Sequence, residues 1–258
     1  MKDARWWDGA GRWLLIIVMH LAVVLVWQLW IVIGDVEPYI MPTPVDTFET
    51  LLRNQDYDWI GNTLITAASV FGGFWLAVVV GVLLAMLFSW SPWLNAALMP
   101  LLVSLNMIPK VALGPIFIVW FSYGLGPNII IAFSICFLPV LITTARGLNE
   151  VEPDLLDLVR VLGASRWQVF AKIQLPNALP YLFSGMKVAV VLAVAGAIVG
   201  EFIASERGLG YLMLQVQVSL DTAAMFMAVL MITLVGVVLY GIVLLLERAL
   251  VVRDARME

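Results

Sequence analysis

The amino-acid sequence predicts an all-α, polytopic membrane protein with six transmembrane helices. Three observations predict it. Hydrophobic residues fill 63% of 258 positions and charged residues only 12%, too little polar surface to cover a water-soluble fold. Apolar runs recur at close to the ~20-residue length that crosses a hydrocarbon layer. Lys and Arg fall unevenly on the segments between those runs, as they do where basic side chains stay on the cytoplasmic side.

The first run, Trp13–Ile33, follows Lys2, Arg5 and Arg12. A signal peptide is the competing reading. The length of the run, with no small-residue cleavage site cleanly after it, predicts a retained span. An acidic segment with Asp35, Glu37, Asp46, Glu49, Asp56 and Asp58 leads to the second run, Asn62–Phe88. The third, Trp93–Phe121, holds Pro100, Pro109, Pro115 and Lys110. Each proline removes an amide donor and crowds the preceding turn, so this span is expected to be kinked or broken. Asn128–Ala145, Leu179–Gly200 and Ala223–Leu246 complete the set. The chain thus reads as one transmembrane domain over 1–258, with a first span at 13–33 and a core bundle at 62–246.

Orientation follows from 14 basic residues. With both termini inside, the inner segments hold Lys2, Arg5, Arg12, Arg146, Arg160, Arg166, Lys172, Lys187, Arg248, Arg253 and Arg256. Only Arg53 and Arg207 fall outside. Small residues repeat every four positions at Ala77, Gly81 and Ala85, and again at Gly196 and Gly200. Such ladders let helix backbones approach closely, either within one bundle or along a subunit interface.

The longest inner connection, 150–176, is patterned as two short helices. Pro153 suits a first helical position, and Leu155, Leu158, Val159 and Leu162 share a face. Gly163 is placed to end that helix in a left-handed conformation. Ser165 reads as a new cap, with Gln168 at the capping-box position. The second helix is expected to end near Lys172, with Pro176 and Pro180 marking the turn into the fifth span. Two placements fit this pattern: a docking element for a soluble partner, or an amphipathic pair lying in the headgroups on Trp167 and Phe170. Its mixture of acidic and basic residues favours the first.

The run Asp157–Leu158–Val159–Arg160–Val161–Leu162–Gly163–Ala164–Ser165, with Leu175–Pro176 beyond it, resembles the EAA signature of ABC importer permeases. Asp157 stands where that family usually has glutamate, and Leu158 and Val159 stand where small alanines are expected. Ile108–Pro109–Lys110–Val111–Ala112, Trp120–Phe121–Ser122–Tyr123–Gly124–Leu125–Gly126, Gly200–Glu201–Phe202 and Gly208–Leu209–Gly210 are similar to the nitrate, sulfonate and taurine branch. That branch commonly has glycine where Ser122 stands. The resemblance implies a type I ABC importer permease fold in a bacterial inner membrane. It also implies a homodimer or paired permease, two cytoplasmic ATP-binding subunits and an extracytoplasmic solute-binding protein. Asp157, Arg160, Gly163, Ala164, Ser165, Arg166 and Pro176 would then form the coupling element. The solute would be an organic or inorganic anion such as nitrate, a sulfonate or taurine, or else a vitamin or pyrimidine precursor or an aromatic acid.

Two residues are candidates for the translocation path. Lys110 is an ionisable group at membrane depth, where such groups face a cavity or a partner unless a long stem snorkels to the interface. Glu201 closes the fifth span, as a solute or binding-protein contact or as an interfacial cap. Nothing in the sequence points to catalysis, a cofactor, a metal or nucleic acid. There is no GxxxxGK phosphate loop, the one histidine, His20, lies in the first span, and the basic residues form no extended patch. An ion-gradient-driven secondary transporter is the rival reading, and it calls for buried acids and an internal repeat.

Overall fold

The computed structural model describes residues 10–53 and 55–251, and every regular element among them is helical. Lys2, Arg5, Arg253 and Arg256, used above to orient the chain, lie outside the described residues, as does the side chain of Arg12. Among the described residues five helices are long and apolar enough to cross a membrane, or six if the bent pair Pro92–Asn106 and Lys110–Phe121 counts as one span. The contacts divide the chain into two compact units, residues 1–59 with 212–230, and residues 60–211 with 231–258.

The first unit contains α1 (Ala10–Gly34), α2 (Pro44–Arg53), most of α10 (Leu209–Val218) and the start of α11 (Thr222–Leu250). Among the described side chains of α1 nearly every apolar one is exposed and only Ile31 is buried, as befits a helix solvated by lipid. Polar groups close the connections. Trp27 Nε1 donates to the Pro42 carbonyl at 3.1 Å, and the Tyr57 hydroxyl donates to Asp221 Oδ2 at 2.8 Å. Burial, and then the Asp221 carboxylate, push the Tyr57 phenol up to about 12. The proton of that bond is therefore kept at any physiological pH.

The second unit is built on α3 (Trp59–Trp90), α6 (Leu125–Asn149) and α9 (Leu175–Ala204), with the remainder of α11. Phe74, Cys136, Val140, Met186, Val190 and Leu239 are among the residues of its core. Glycine sets the spacing. A methyl group on Gly196 would lie 2.8 Å from Ala132 Cα, and one on Gly200 would lie 2.8 Å from Asn128 Cα. Farther along, Gly185 faces Thr143 and Gly147 faces Tyr181. Each step up α6 is thus matched by an equal step down α9, so the two helices run antiparallel in one register. The ladder of α3 faces the same partner, with Gly73 against Ala132 and Gly81 against Val140. Both small-residue ladders pack inside the bundle.

Those last two pairs advance together, so α3 and α6 run parallel. The chain between Trp90 and Leu125 must therefore travel back along the bundle. It does so through α4 (Pro92–Asn106), a 3₁₀ turn at Lys110–Leu113 and α5 (Gly114–Phe121). The two halves are bent by 80°. The break falls at extended Pro109, whereas Pro100 stays inside α4 and Pro115 sits in the first turn of α5, where its missing donor costs nothing.

One expectation fails. No turn interrupts the chain at Pro176 or Pro180. Helix α8 (Arg166–Val169) passes through a π turn, Phe170–Gln174, directly into α9, giving 39 continuous helical residues. The Leu175 amide bonds to the Phe170 carbonyl, five residues back. That wider turn takes up the donor Pro176 lacks and the room its ring needs.

Ser122 carries the chain out of α5 at φ 61° and ψ −170°, a region otherwise left to glycine, at a cost of about 1–3 kcal/mol. Substituting Ser122→Gly is expected to raise the thermal unfolding midpoint of the detergent-purified protein. An unchanged midpoint would mean that the turn carries no strain.

Candidate functional site

Residues 150–176 form a bent projection. Helix α7 (Pro153–Val161) starts with Pro153 in its first turn and buries none of its residues. Its end is closed by a paired set of backbone bonds: the Ala164 amide to the Val159 carbonyl and the Gly163 amide to the Arg160 carbonyl, both at 3.0 Å. This geometry requires a left-handed residue, and Gly163 supplies it at φ 79°. Two residues on, the Ser165 hydroxyl accepts from the Gln168 amide at 3.2 Å, while Gln168 Oε1 accepts from the Ser165 amide at 2.8 Å. The expected capping box is present, and the bend is defined on both sides.

The projection is tied to the bundle by Asn177. Its side-chain amide donates to the carbonyls of Gly147 and Glu150, at 2.9 and 3.0 Å, where α6 ends. Asp157 and Arg160 pair at 2.9 Å on α7, an exposed contact of little energetic weight. The apolar residues beside them are uncovered: Leu158 is 56% exposed, Leu162 75% and Val161 86%. Ala164, Ser165 and Arg166 continue the same surface, and Pro176 lies at its root in α9.

At the opposite end of α9, Glu201 is wholly buried. Its Oε2 accepts from the Thr66 hydroxyl at 3.1 Å and from the Gly210 amide at 2.7 Å. Thr66 in turn accepts from the Leu209 amide at 2.8 Å, and Asn62 Oδ1 accepts from the Gly208 amide at 2.7 Å. Asn128 Nδ2 donates to Ser205 Oγ at 3.3 Å. The carboxylate thus gathers the start of α3, the turn after α9 and the first amides of α10 into one node, with the positive end of α10 towards it. Gly208 sits at φ 115°, and any side-chain carbon there would strike the Glu201 carboxyl group. Glu201 Oε1 and Asn128 Oδ1 are buried without a partner.

Lys110 lies at the break between α4 and α5 and turns back, its Nζ donating to the backbone and side-chain oxygens of Asn106, the latter at 3.1 Å. Lys187, counted above with the inner segments, is instead within the long helix. It meets Glu247 of α11 at 2.8 Å, with side chains 22% and 7% exposed. Sequence reasoning missed this pair, because its members are 60 residues apart. The Thr66 partner of Glu201, 135 residues away, was missed for the same reason. Among the described residues no group of three or more His, Cys, Asp or Glu is placed to hold a metal ion.

Residues 77–252 match the family model described as "Binding-protein-dependent transport system inner membrane component". The riboflavin transport system permease protein RibX of Chloroflexus aurantiacus is 33% identical over 231 residues, covering 87% of this chain and 84% of its own length. The formylaminopyrimidine transport permease protein ThiX of Halalkalibacterium halodurans is 30% identical over 214 residues, 83% of this chain and 86% of its own. In fold, the chain is similar to a chain of the MetNI methionine ABC transporter. The TM-score is 0.57 at 20% identity, covering 74% of this chain and 95% of the other. The fold is the type I permease arrangement.

Two outcomes follow from the buried contacts. Replacing Lys187→Met strands the Glu247 carboxylate and is expected to cost about 3–5 kcal/mol. The double replacement Lys187→Met/Glu247→Met recovers most of that loss in thermal unfolding. Gly208→Ala is expected to lower the unfolding midpoint sharply, whereas Gly126→Ala, which meets open space, leaves it near the wild-type value.

Proposed function

Because the chain belongs to the family of binding-protein-dependent transport system inner membrane components, and is therefore the multi-pass membrane permease of an ABC importer for a small solute, we propose that residues 150–176 are the element gripped by its ATP-hydrolysing partner. The observation that carries this reading is the uncovered apolar face of Leu158, Val161 and Leu162, on a helix that buries none of its residues. Exposed apolar surface flanked by charge marks a contact site, and here Asp157 flanks it. The bend at Gly163, Ala164 and Ser165 is stiff, and Arg166 leads into a helix that continues through Pro176 to Ala204. A push on the projection is thereby passed along α9.

In this reading both termini and the projection are cytoplasmic, and the chain acts as a single permease domain. It works as a homodimer or paired permease with two ATP-binding subunits. A solute-binding protein docks on the outer acidic segment around Asp46–Asp58. Closure of the ATPases shifts the bundle between two packings, open alternately to each side. ATP hydrolysis resides in the separate subunit.

For the solute we favour a small heterocyclic compound of the vitamin or pyrimidine-precursor class, supported by the names of the two relatives above. The resemblance to the nitrate, sulfonate and taurine branch keeps an anion as the second reading. The Lys110 ammonium, held by Asn106, gives the anion little added support. Glu201 acts by holding the turn after α9 in place, without touching solute.

Co-purification tests the docking. Leu162→Asp and Val161→Asp are expected to weaken recovery of the co-expressed ATPase about tenfold or more, with the permease still folded. Full recovery with both variants would sink the assignment. For the solute, calorimetry on the cognate binding protein is expected to show heat with a heterocycle of the riboflavin or aminopyrimidine kind. Heat with a sulfonate or nitrate alone would reverse the preference.

A further inference from the structure

A cavity of about 700 Å³ opens between the end of α3 and the projection, lined among others by Ser89, Trp90, Arg160, Arg166, Trp167 and Gln174. We propose that it is a binding site for the phosphate ester headgroup of an anionic phospholipid. The proposal rests on the membrane placement of the bundle and adds a ligand to the projection's inner side.

Charge is the first argument. Arg166 makes no ion pair among the described residues. Arg160 has only Asp157, whose side chain is 72% exposed, a pair that water screens and that yields readily. Two guanidinium groups on one cavity present planar forks that match phosphate oxygens. Ser89 lies in the same wall, its hydroxyl buried and without a partner, so a small side-chain rotation would offer it to an acceptor.

Depth and wall chemistry choose the source. At 32 residues α3 is about 48 Å long, well beyond the ~30 Å of hydrocarbon, and with the projection on the cytoplasmic side its last residue, Trp90, would stand in the headgroup layer. There Trp90 packs against Phe170 at 5.2 Å and against Trp167 at 6.4 Å. Indole rings favour this layer, with an apolar body and a polar edge. Leu156 and Val169 extend the apolar wall, which suits the glycerol and upper acyl segments and offers nothing to a free phosphate ion.

The test is native mass spectrometry of the full-length, delipidated chain with phosphatidylglycerol, phosphatidylcholine or inorganic phosphate. Wild-type protein is expected to retain one phosphatidylglycerol with a preference of about tenfold over phosphatidylcholine. Arg166→Gln and Arg160→Gln should each reduce that preference, Arg166→Lys should keep part of it, and Ser89→Ala should weaken it. Circular dichroism verifies that each variant is folded. Equal retention of the two lipids by wild-type protein would overturn the proposal, as would a preference that survives both glutamine variants. Retention of inorganic phosphate with no lipid preference would overturn the lipid source. Repeating the measurement on the complex with the ATPase separates one more occupant. Lipid retained there supports the site, whereas its expulsion would show a socket for an acidic side chain of the partner protein. Failure of the docking proposal would leave the isolated-chain result untouched.

Discussion

The backbone contact between α6 and α9 is the constraint on which the second unit depends. Inside a bilayer no hydrophobic force draws two apolar helices together, so they hold by close van der Waals contact and by polar groups shared across the seam. Gly196 and Gly200 permit that approach at Ala132 and Asn128, and Gly185 and Gly147 permit it at Thr143 and Tyr181. A larger residue at these points would force the helices apart and spread the loss along the whole seam.

Each end of this seam carries a different task. At one end, beside Asn128 and Gly200, Glu201 anchors the turn into α10 and ties it to α3. At the other end, beside Gly147 and Tyr181, Asn177 binds the last carbonyls of α6 and sets the base of the projection. The two regions belong to one stiff helix pair, and α8, the π turn and α9 form a single rod between them. On the proposed coupling role, a displacement of the projection would reach Glu201 as movement of a packed element.

The buried polar contacts explain why this rod keeps its place. Glu201 and the Lys187–Glu247 pair take charge or strong polarity out of water, where only specific partners restore the lost solvation. In the bent α4–α5 pair, α4 buries no residue whereas α5 buries Gly114 and Phe117, and the Asn106 carbonyl at the end of α4 accepts from the Lys110 ammonium.

Much of this was legible in the sequence, and the reason is locality. The helical class, the long apolar spans, a break somewhere in the proline-bearing third run and the cap at Ser165 depend on neighbours a few residues apart, so composition and spacing determined them; which of the three prolines carries the break did not follow from them. The end of α7 at Gly163 belongs to the same class. The continuation through Pro176 did not, because a π turn is one of several ways to accommodate a proline and the surrounding packing selects among them. Thr66 as the partner of Glu201, and Glu247 as the partner of Lys187, were beyond reach for a plainer reason. They lie 135 and 60 residues away, and only the tertiary fold, by choosing which helix faces meet, decides which buried carboxylate finds which donor.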